Sequence, residues 1–130
     1  MPIRVLIVDD SPSFLDAAGA LLQREGLTVA GVASTAEAAL SQTEELKPDV
    51  ALVDITLAQE SGFDVARLLS ERYRDGGPVV ILISTHAQDD FADMIAASPA
   101  SAFLAKSALS ARQIQEIVDA GPSSSRVAVT

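Results

Sequence analysis

The chain has 130 residues, of which 48% are hydrophobic and none is cysteine. This length fits a single domain with a hydrophobic core, and the lack of cysteine excludes disulfides and thiolate metal sites. The net charge is −9 and the nine Lys and Arg residues are scattered, so direct binding to nucleic acid or attachment to an anionic membrane is not expected. The first apolar run is too short for a signal peptide or a membrane span, which favours a cytoplasmic protein.

Short apolar runs rich in β-branched residues alternate along the chain with segments of helical spacing. Several of the runs are almost continuously apolar, which is typical of strands in a parallel sheet that is covered on both faces. The predicted strands are residues 3–8, 27–32, 50–53, 79–84 and, more weakly, 102–105. The predicted helices carry apolar residues three and four positions apart: Phe14, Ala18, Leu21 and Leu22; Ala36, Ala39, Leu40 and Thr43; Val65, Ala66, Leu69 and Tyr73; Phe91, Met94 and Ile95; Ile114, Ile117 and Val118.

Helix-capping residues agree with this alternation. Ser34 followed by Glu37, and Ser61 followed by Asp64, are typical of helix N-termini, and Pro12 suits a first helical turn. Glycines are expected where helices stop, at Gly26, Gly76 and Gly121. Five β-α units in succession predict an open parallel sheet with helices on both faces and right-handed crossovers. We expect residues 1–121 to form one domain and the Ser-rich residues 122–130 to form a flexible tail.

Charged and hydroxyl side chains follow four of the predicted strands, at the edge of the sheet where functional groups collect. Asp9 and Asp10 follow the first strand, Asp54 the third, Ser84 the fourth and Lys106 the fifth. Three adjacent carboxylates repel one another unless a cation intervenes, and Mg²⁺ prefers such oxygen ligands. A lysine and a hydroxyl could then hold phosphoryl oxygens, and an aspartate can accept the phosphoryl group. Each residue alone has an ordinary interpretation as a turn, cap or solvated residue, so the joint arrangement carries the prediction.

The residues around these positions resemble the receiver domain of bacterial two-component response regulators. The matching segments are residues 5–10 (VLIVDD), 49–54 (DVALVD) followed by Gly62, 81–84 (ILIS) and 103–106 (FLAK), and the resemblance spans about residues 3–120. It implies a flavodoxin-like, doubly wound α/β fold with five parallel strands in the order 2-1-3-4-5 and five helices. It also implies a phosphorylation switch, not an enzyme acting on a separate substrate.

The resemblance assigns a role to each matching position. Asp54 corresponds to the phosphoacceptor, and Mg²⁺ is expected at Asp10 directly, at Asp9 largely through water, at Asp54 and at the backbone carbonyl of Thr56. Lys106 corresponds to the lysine that contacts the phosphoryl group, while Ser84 and Phe103 correspond to the switch hydroxyl and the switch aromatic. The implied partners are a sensor histidine kinase and a downstream protein that binds the face of the fourth helix, fifth strand and fifth helix. The same face often forms homodimers in this family.

The sequence departs from the family pattern at several positions near this site. Ala58 stands where proline is common, Thr85 follows the switch hydroxyl where a small residue is usual, and Ser107 replaces a frequent proline. His86 lies two residues after Ser84, a position that tunes phosphoryl lifetime in the family.

Other functions fit the sequence less well. Haloacid dehalogenase phosphatases use a second Asp two positions after the first, whereas here Asp9 and Asp10 are adjacent and Ser11 and Pro12 follow. Gly26 and Gly31 have the outer spacing of a phosphate-binding loop, but the residues after them lack its Lys and Ser/Thr. The remaining alternative is a degenerate receiver that docks partners without being phosphorylated.

Overall fold

The structure, a computed structural model, describes residues 3–57, 61–73, 77–85 and 92–120. Strands and helices alternate throughout, as the sequence pattern predicts. The strands are β1 (Arg4–Val8), β2 (Thr28–Ala33), β3 (Val50–Asp54), β4 (Val79–Ser84) and β5 (Ala102–Ala105). The helices are α1 (Pro12–Arg24), α2 (Ala36–Leu46), α3 (Gly62–Arg72), α4 (Ala92–Ala97) and α5 (Ala111–Ala120), and a short 3₁₀ helix, Lys106–Ala108, follows β5.

The five strands form one parallel sheet in the order β2-β1-β3-β4-β5, which confirms the predicted topology. Val8 pairs with Val53 across β1 and β3, and Asp54 pairs with Ile83 across β3 and β4. Ser84 pairs with Ala105 across β4 and β5. Because all strands run the same way, their carboxyl ends meet at one edge, which we call the upper rim.

Two hydrophobic clusters cover the two faces of the sheet. In the first cluster, Ile7, Leu52 and Leu104 of the sheet pack with side chains of α1 and α5. The second cluster, on the opposite face, joins alternate strand residues such as Val8, Val53 and Leu82 to α2, α3 and α4. Burial on both faces explains why the strands read as nearly continuous apolar runs. No helix in the described part of the chain combines the length and hydrophobicity that a membrane span requires.

The helix termini follow most of the predicted caps, with one correction. Pro12 begins α1, and the Ser61 hydroxyl accepts a hydrogen bond from the N–H of Phe63 at the start of α3. The cap of α2 is Thr35 and not Ser34, because the Thr35 hydroxyl accepts the N–H of Ala38 at 3.1 Å. The pattern of Ser followed by Glu three residues later therefore located this helix but misplaced its cap by one residue.

The glycine stops and one apolar position add detail. Gly26 lies just after α1 with φ +101°, a conformation that favours glycine, whereas Gly76, Gly121 and the tail lie outside the described residues. The prediction that Met94 faces the core is wrong, since Met94 is 52% exposed. Within the described residues, α4 has only six residues and buries Ile95, while the preceding side chain, Met94, points to solvent. Phe91 lies outside the described residues.

Candidate functional site: an acidic upper rim

Strand alternation sets the direction of the charged side chains at the upper rim. Asp9, Asp54 and Lys106 each stand two positions after a residue of the first cluster, namely Ile7, Leu52 and Leu104. Since the side-chain period of a strand is two, all three groups project on the face covered by α1 and α5. Ser84 stands two positions after Leu82 of the second cluster and belongs to the opposite face.

The predicted cluster of carboxylates is present. Asp9, Asp10 and Asp54 each offer a carboxylate oxygen, and these oxygens lie within 4.8 Å of one another. Asp9 is fully buried, Asp54 is 7% exposed and Asp10 is exposed to solvent. The cluster therefore has two buried members and one at the surface.

Asp54 is held from two sides. Its Oδ1 accepts a hydrogen bond from the N–H of Thr56 at 3.1 Å, and its Oδ2 accepts one from Nζ of Lys106 at 3.3 Å. Burial raises the pKa of Asp54 above its ordinary value of 3.8, the Thr56 N–H opposes the rise, the charge of Asp9 adds to it and Lys106 opposes it. The raised pKa identifies Asp54 as a carboxylate whose charge is only partly compensated by its protein neighbours.

Lys106 pairs more closely with Asp9 than with Asp54. Its Nζ lies 2.6 Å from Oδ2 of Asp9, and its side chain is only 13% exposed. The contact lacks hydrogen-bonding geometry, because Oδ2 of Asp9 has no hydrogen-bond partner among the described residues. One ammonium thus faces two buried carboxylates, and the third carboxylate adds further negative charge.

This donor set fits a hard divalent cation. All three groups offer oxygen, two of them are held in place by burial, and Oδ2 of Asp9 is a buried oxygen without a hydrogen-bond donor. Mg²⁺ takes such ligands and keeps several waters, for which the exposed side of Asp10 leaves room. Thr56 lies beside the cluster and its N–H contacts Asp54; a metal ligand from its carbonyl stays a prediction.

The segment after Asp54 is fixed against the start of α3. Thr56 and Ser61 form an isolated antiparallel bridge, and the N–H of Gly62 donates to the carbonyl of Ile55 at 2.8 Å. A Cβ on Gly62 would lie 2.7 Å from Cα of Ile55 and closer still to the carbonyl oxygen of Asp54, so glycine is required here. Ala58 lies outside the described residues.

The two predicted switch residues lie on neighbouring strands. Ser84 is 1% exposed at the end of β4, next to the strand that carries Asp54. Phe103 on β5 pairs with Leu82, and its half-buried ring packs against the second cluster. Thr85 is exposed, and His86 lies outside the described residues.

One neighbour of the site was not predicted from the sequence. Phe14 was assigned only to the apolar stripe of α1, but Nζ of Lys106 lies 4.1 Å from the centroid of its ring. The available signal was its position in the first turn of the helix that follows Asp9 and Asp10, which places it near the upper rim.

The chain matches a known family over most of its length. The sequence model of the response regulator receiver domain matches residues 5–119. The DNA-binding response regulator MtrA of Mycolicibacterium smegmatis is 36% identical over 92 residues, which are 71% of this chain and 38% of that protein. Response regulator GacA of Pseudomonas viridiflava is 31% identical over 116 residues, which are 88% of this chain and 53% of that protein. The chain thus spans well under two thirds of these relatives.

Solved structures agree with the sequence matches. The signal receiver domain of the response regulator NarL from Mycobacterium tuberculosis is 28% identical and superposes with a TM-score of 0.76, covering 91% of this chain and 94% of that one. A CheY-like receiver domain protein from Methanospirillum hungatei JF-1 is 25% identical with a TM-score of 0.74, covering 95% of each chain. The family match, the shared fold and the acidic upper rim show that this protein belongs to the response regulator receiver domains, the phosphorylation-dependent signalling domains of two-component systems.

Proposed function

We propose that this protein is a phosphorylation switch in which Asp54 accepts a phosphoryl group from a phosphohistidine of a sensor histidine kinase. The observation that carries this proposal is the position of Asp54 at the end of β3, between the N–H of Thr56 and the ammonium of Lys106. Asp9 and Asp10 lie beside it. A buried carboxylate fixed by two donors can be aimed at an incoming phosphorus atom with little loss of freedom.

The transfer is an in-line displacement. A carboxylate oxygen of Asp54 attacks the phosphorus, the phosphorus–nitrogen bond to the kinase imidazole breaks, and the electron pair returns to the ring. The product is an acyl phosphate on Asp54. Lys106, already within 3.3 Å of Oδ2 of Asp54, is placed to stabilise negative charge on the phosphoryl oxygens.

The proposed cofactor is Mg²⁺, held by Asp9, Asp10, Asp54 and the backbone carbonyl of Thr56. When bound, it supplies positive charge that offsets the repulsion among the carboxylates and the phosphoryl oxygens. The side chains contribute differently: Asp9 is buried and paired with Lys106, whereas the exposed Asp10 is accessible for direct ligation. Because Oδ2 of Asp9 already faces the Lys106 ammonium at 2.6 Å, the proposal assigns Asp9 a contribution largely through water.

The proposed output is a change on the face formed by α4, β5 and α5. Ser84 would turn toward the phosphoryl oxygens, and the half-buried ring of Phe103 would then turn inward. The position of Ser84 beside the Asp54 strand, and of Phe103 on the neighbouring strand, supports this coupling. A downstream protein, or a second copy of the chain, would read the changed face.

The proposal includes the wider organisation of the chain. Residues 1–121 act as one receiver domain in the cytoplasm, and the protein acts as phosphoacceptor and not as an enzyme with a separate substrate. The family match, which ends at residue 119, supports this boundary.

Intact mass spectrometry after incubation with acetyl phosphate tests the phosphoacceptor. Wild type should gain one phosphoryl group only when Mg²⁺ is present, and Asp54→Ala should gain none. Asp16→Ala is the matched control, because it removes an exposed carboxylate on α1 and should behave as wild type. Phosphate retained on Asp54→Ala would move the acceptor elsewhere. No gain in the wild type would favour the degenerate receiver that docks partners without phosphorylation.

A further inference from the structure

The ammonium of Lys106 has an aromatic neighbour as well as two carboxylates. Its Nζ lies 2.6 Å from Asp9, 3.3 Å from Asp54 and 4.1 Å from the centroid of the Phe14 ring. Because the lysine side chain is 13% exposed, little water replaces these contacts. The ring face carries negative charge density that attracts a cation, and the attraction is strongest where the cation is shielded from water.

The position of Phe14 is linked to Asp9 through the start of α1. The Oδ1 of Asp9 accepts the N–H of Ser11 at 2.8 Å, and the hydroxyl of Ser11 accepts the N–H of Phe14 at 3.4 Å. Pro12 begins the helix between them. Lys106 contacts both the Phe14 ring and Oδ2 of Asp9. Asp9, Ser11, Phe14 and Lys106 therefore form a ring of contacts at the upper rim, in which each residue contacts the next.

The ring differs chemically from the other two partners. It attracts the ammonium but offers no acceptor oxygen. The three N–H donors of the lysine ammonium therefore remain available to oxygen acceptors. With Phe14 as its neighbour, Lys106 keeps its ion pair with Asp9 and has N–H donors for Asp54 and for oxygens that arrive on Asp54. An aliphatic residue of similar size would fill the space against the first cluster but would lose the attraction.

We propose that Phe14 is a positioning residue for Lys106, and that its ring holds the ammonium beside Asp9 and Asp54 so that phosphotransfer to Asp54 depends on an aromatic residue at position 14. This inference rests on the proposed phosphoacceptor function. It adds a first-helix residue to the site and explains why an aromatic side chain of the apolar stripe lies at the rim.

The direct test of position is the NMR signal of the lysine ε-methylene groups. The chain has two lysines, and exposed Lys47 serves as an internal reference. The ring current of Phe14 should shift the Lys106 signal upfield from that of Lys47. Phe14→Leu should abolish the shift, and Phe14→Tyr should retain it. A Lys106 signal that is the same in wild type and Phe14→Leu would overturn the proposal.

The functional test is the rate of phosphorylation by acetyl phosphate at saturating Mg²⁺. Phe14→Leu should slow the reaction about two- to thirty-fold, the rate equivalent of a cation–π contact, and Phe14→Tyr should stay within about twofold of wild type. In a Lys106→Met background, Phe14→Leu should cause no further slowing, because the ring then has no cation to hold. A merely structural role predicts the same slowing in both backgrounds and would overturn the proposal.

These readouts separate the two proposals. Wild type that gains no phosphoryl group overturns the proposed phosphoacceptor function, and the NMR comparison then decides alone whether Phe14 holds Lys106. Circular dichroism of each variant establishes that it is folded. If Phe14→Leu is unfolded, Phe14→Met replaces it in both measurements, with the same expected results and the same outcomes against the proposal.

Discussion

Replacing Lys106 by methionine should destabilise the protein far more than the same replacement at the other lysine. At an effective dielectric constant of about 20, the Coulomb attraction of Nζ is about 6 kcal/mol to Asp9, at 2.6 Å, and about 5 kcal/mol to Asp54, at 3.3 Å. The cost of removing these ions from water offsets most of this attraction. Loss of one partner from a buried pair nevertheless costs about 3–5 kcal/mol, because it leaves an uncompensated buried charge.

For Lys106→Met we expect the lower end of this range, about 3 kcal/mol, because the methionine side chain still packs against the Phe14 ring. In a domain of this size that loss corresponds to a decrease in Tm of about 12 °C. Lys47→Met removes the same charge from an exposed side chain and should change stability by less than about 0.5 kcal/mol.

The assay is urea unfolding at pH 7 in metal-free buffer, followed by circular dichroism. Addition of Mg²⁺ should stabilise Lys106→Met more than wild type, because Asp9 and Asp54 then lack their ammonium partner. Equal stability of the two methionine variants would refute the argument that Lys106 compensates the buried carboxylates. A stabilised Lys106→Met would show that the ion pair costs more in desolvation than it returns.

Three further changes test other contacts by the same unfolding assay. Gly62→Ala should lower the free energy of unfolding by about 1–3 kcal/mol and slow phosphorylation, because its Cβ would overlap the backbone of Asp54. In the control Gly19→Ala, the new Cβ meets no atom within 4 Å, so the free energy of unfolding should rise by up to about 1 kcal/mol. Burial raises the pKa of Asp54, so ionisation of this carboxyl destabilises the fold as pH rises from 3.8 through the folded pKa. Asp54→Asn should therefore have a higher free energy of unfolding than wild type at pH 7. This difference should vanish near pH 3.8. Glu25→Ala should lose about 1 kcal/mol, because Oε1 of Glu25 accepts the N–H of Ala111 at 2.7 Å at the start of α5. Unchanged midpoints for Gly62→Ala or Glu25→Ala, or a pH-independent difference for Asp54→Asn, would contradict these assignments.

The local sequence pattern was sufficient to predict the strands and helices, and to predict that the site lies at the carboxyl edge of the sheet. Strands buried on both faces require continuous apolar runs. The bounds predicted for β4 and β5 are therefore those that the structure gives, and the bounds of the other strands differ by one residue. Parallel strands bring their carboxyl ends together, so the meeting of Asp9, Asp10 and Asp54 followed once each was placed after its strand. The strand order came from the family resemblance, because periodicity does not determine which strands are neighbours.

The local sequence pattern gave wrong predictions where two adjacent residues have similar helix-capping propensity, and where a helix is short. Ser34 and Thr35 are both good helix caps, and the hydrogen bond to Ala38 decides for Thr35. Met94 and Ile95 are both apolar, but six residues of α4 bury only the latter.

By itself, the sequence determined the α/β architecture and the residue types at the upper rim, because apolar periodicity and strand ends are local properties of the chain. Only the tertiary structure decided how those residues share their charges. Lys106 lies closer to Asp9 than to Asp54, and the Phe14 ring lies against the same ammonium. These contacts join residues between about fifty and about one hundred positions apart. They depend on how α1 and β5 pack around the sheet, which no local pattern encodes.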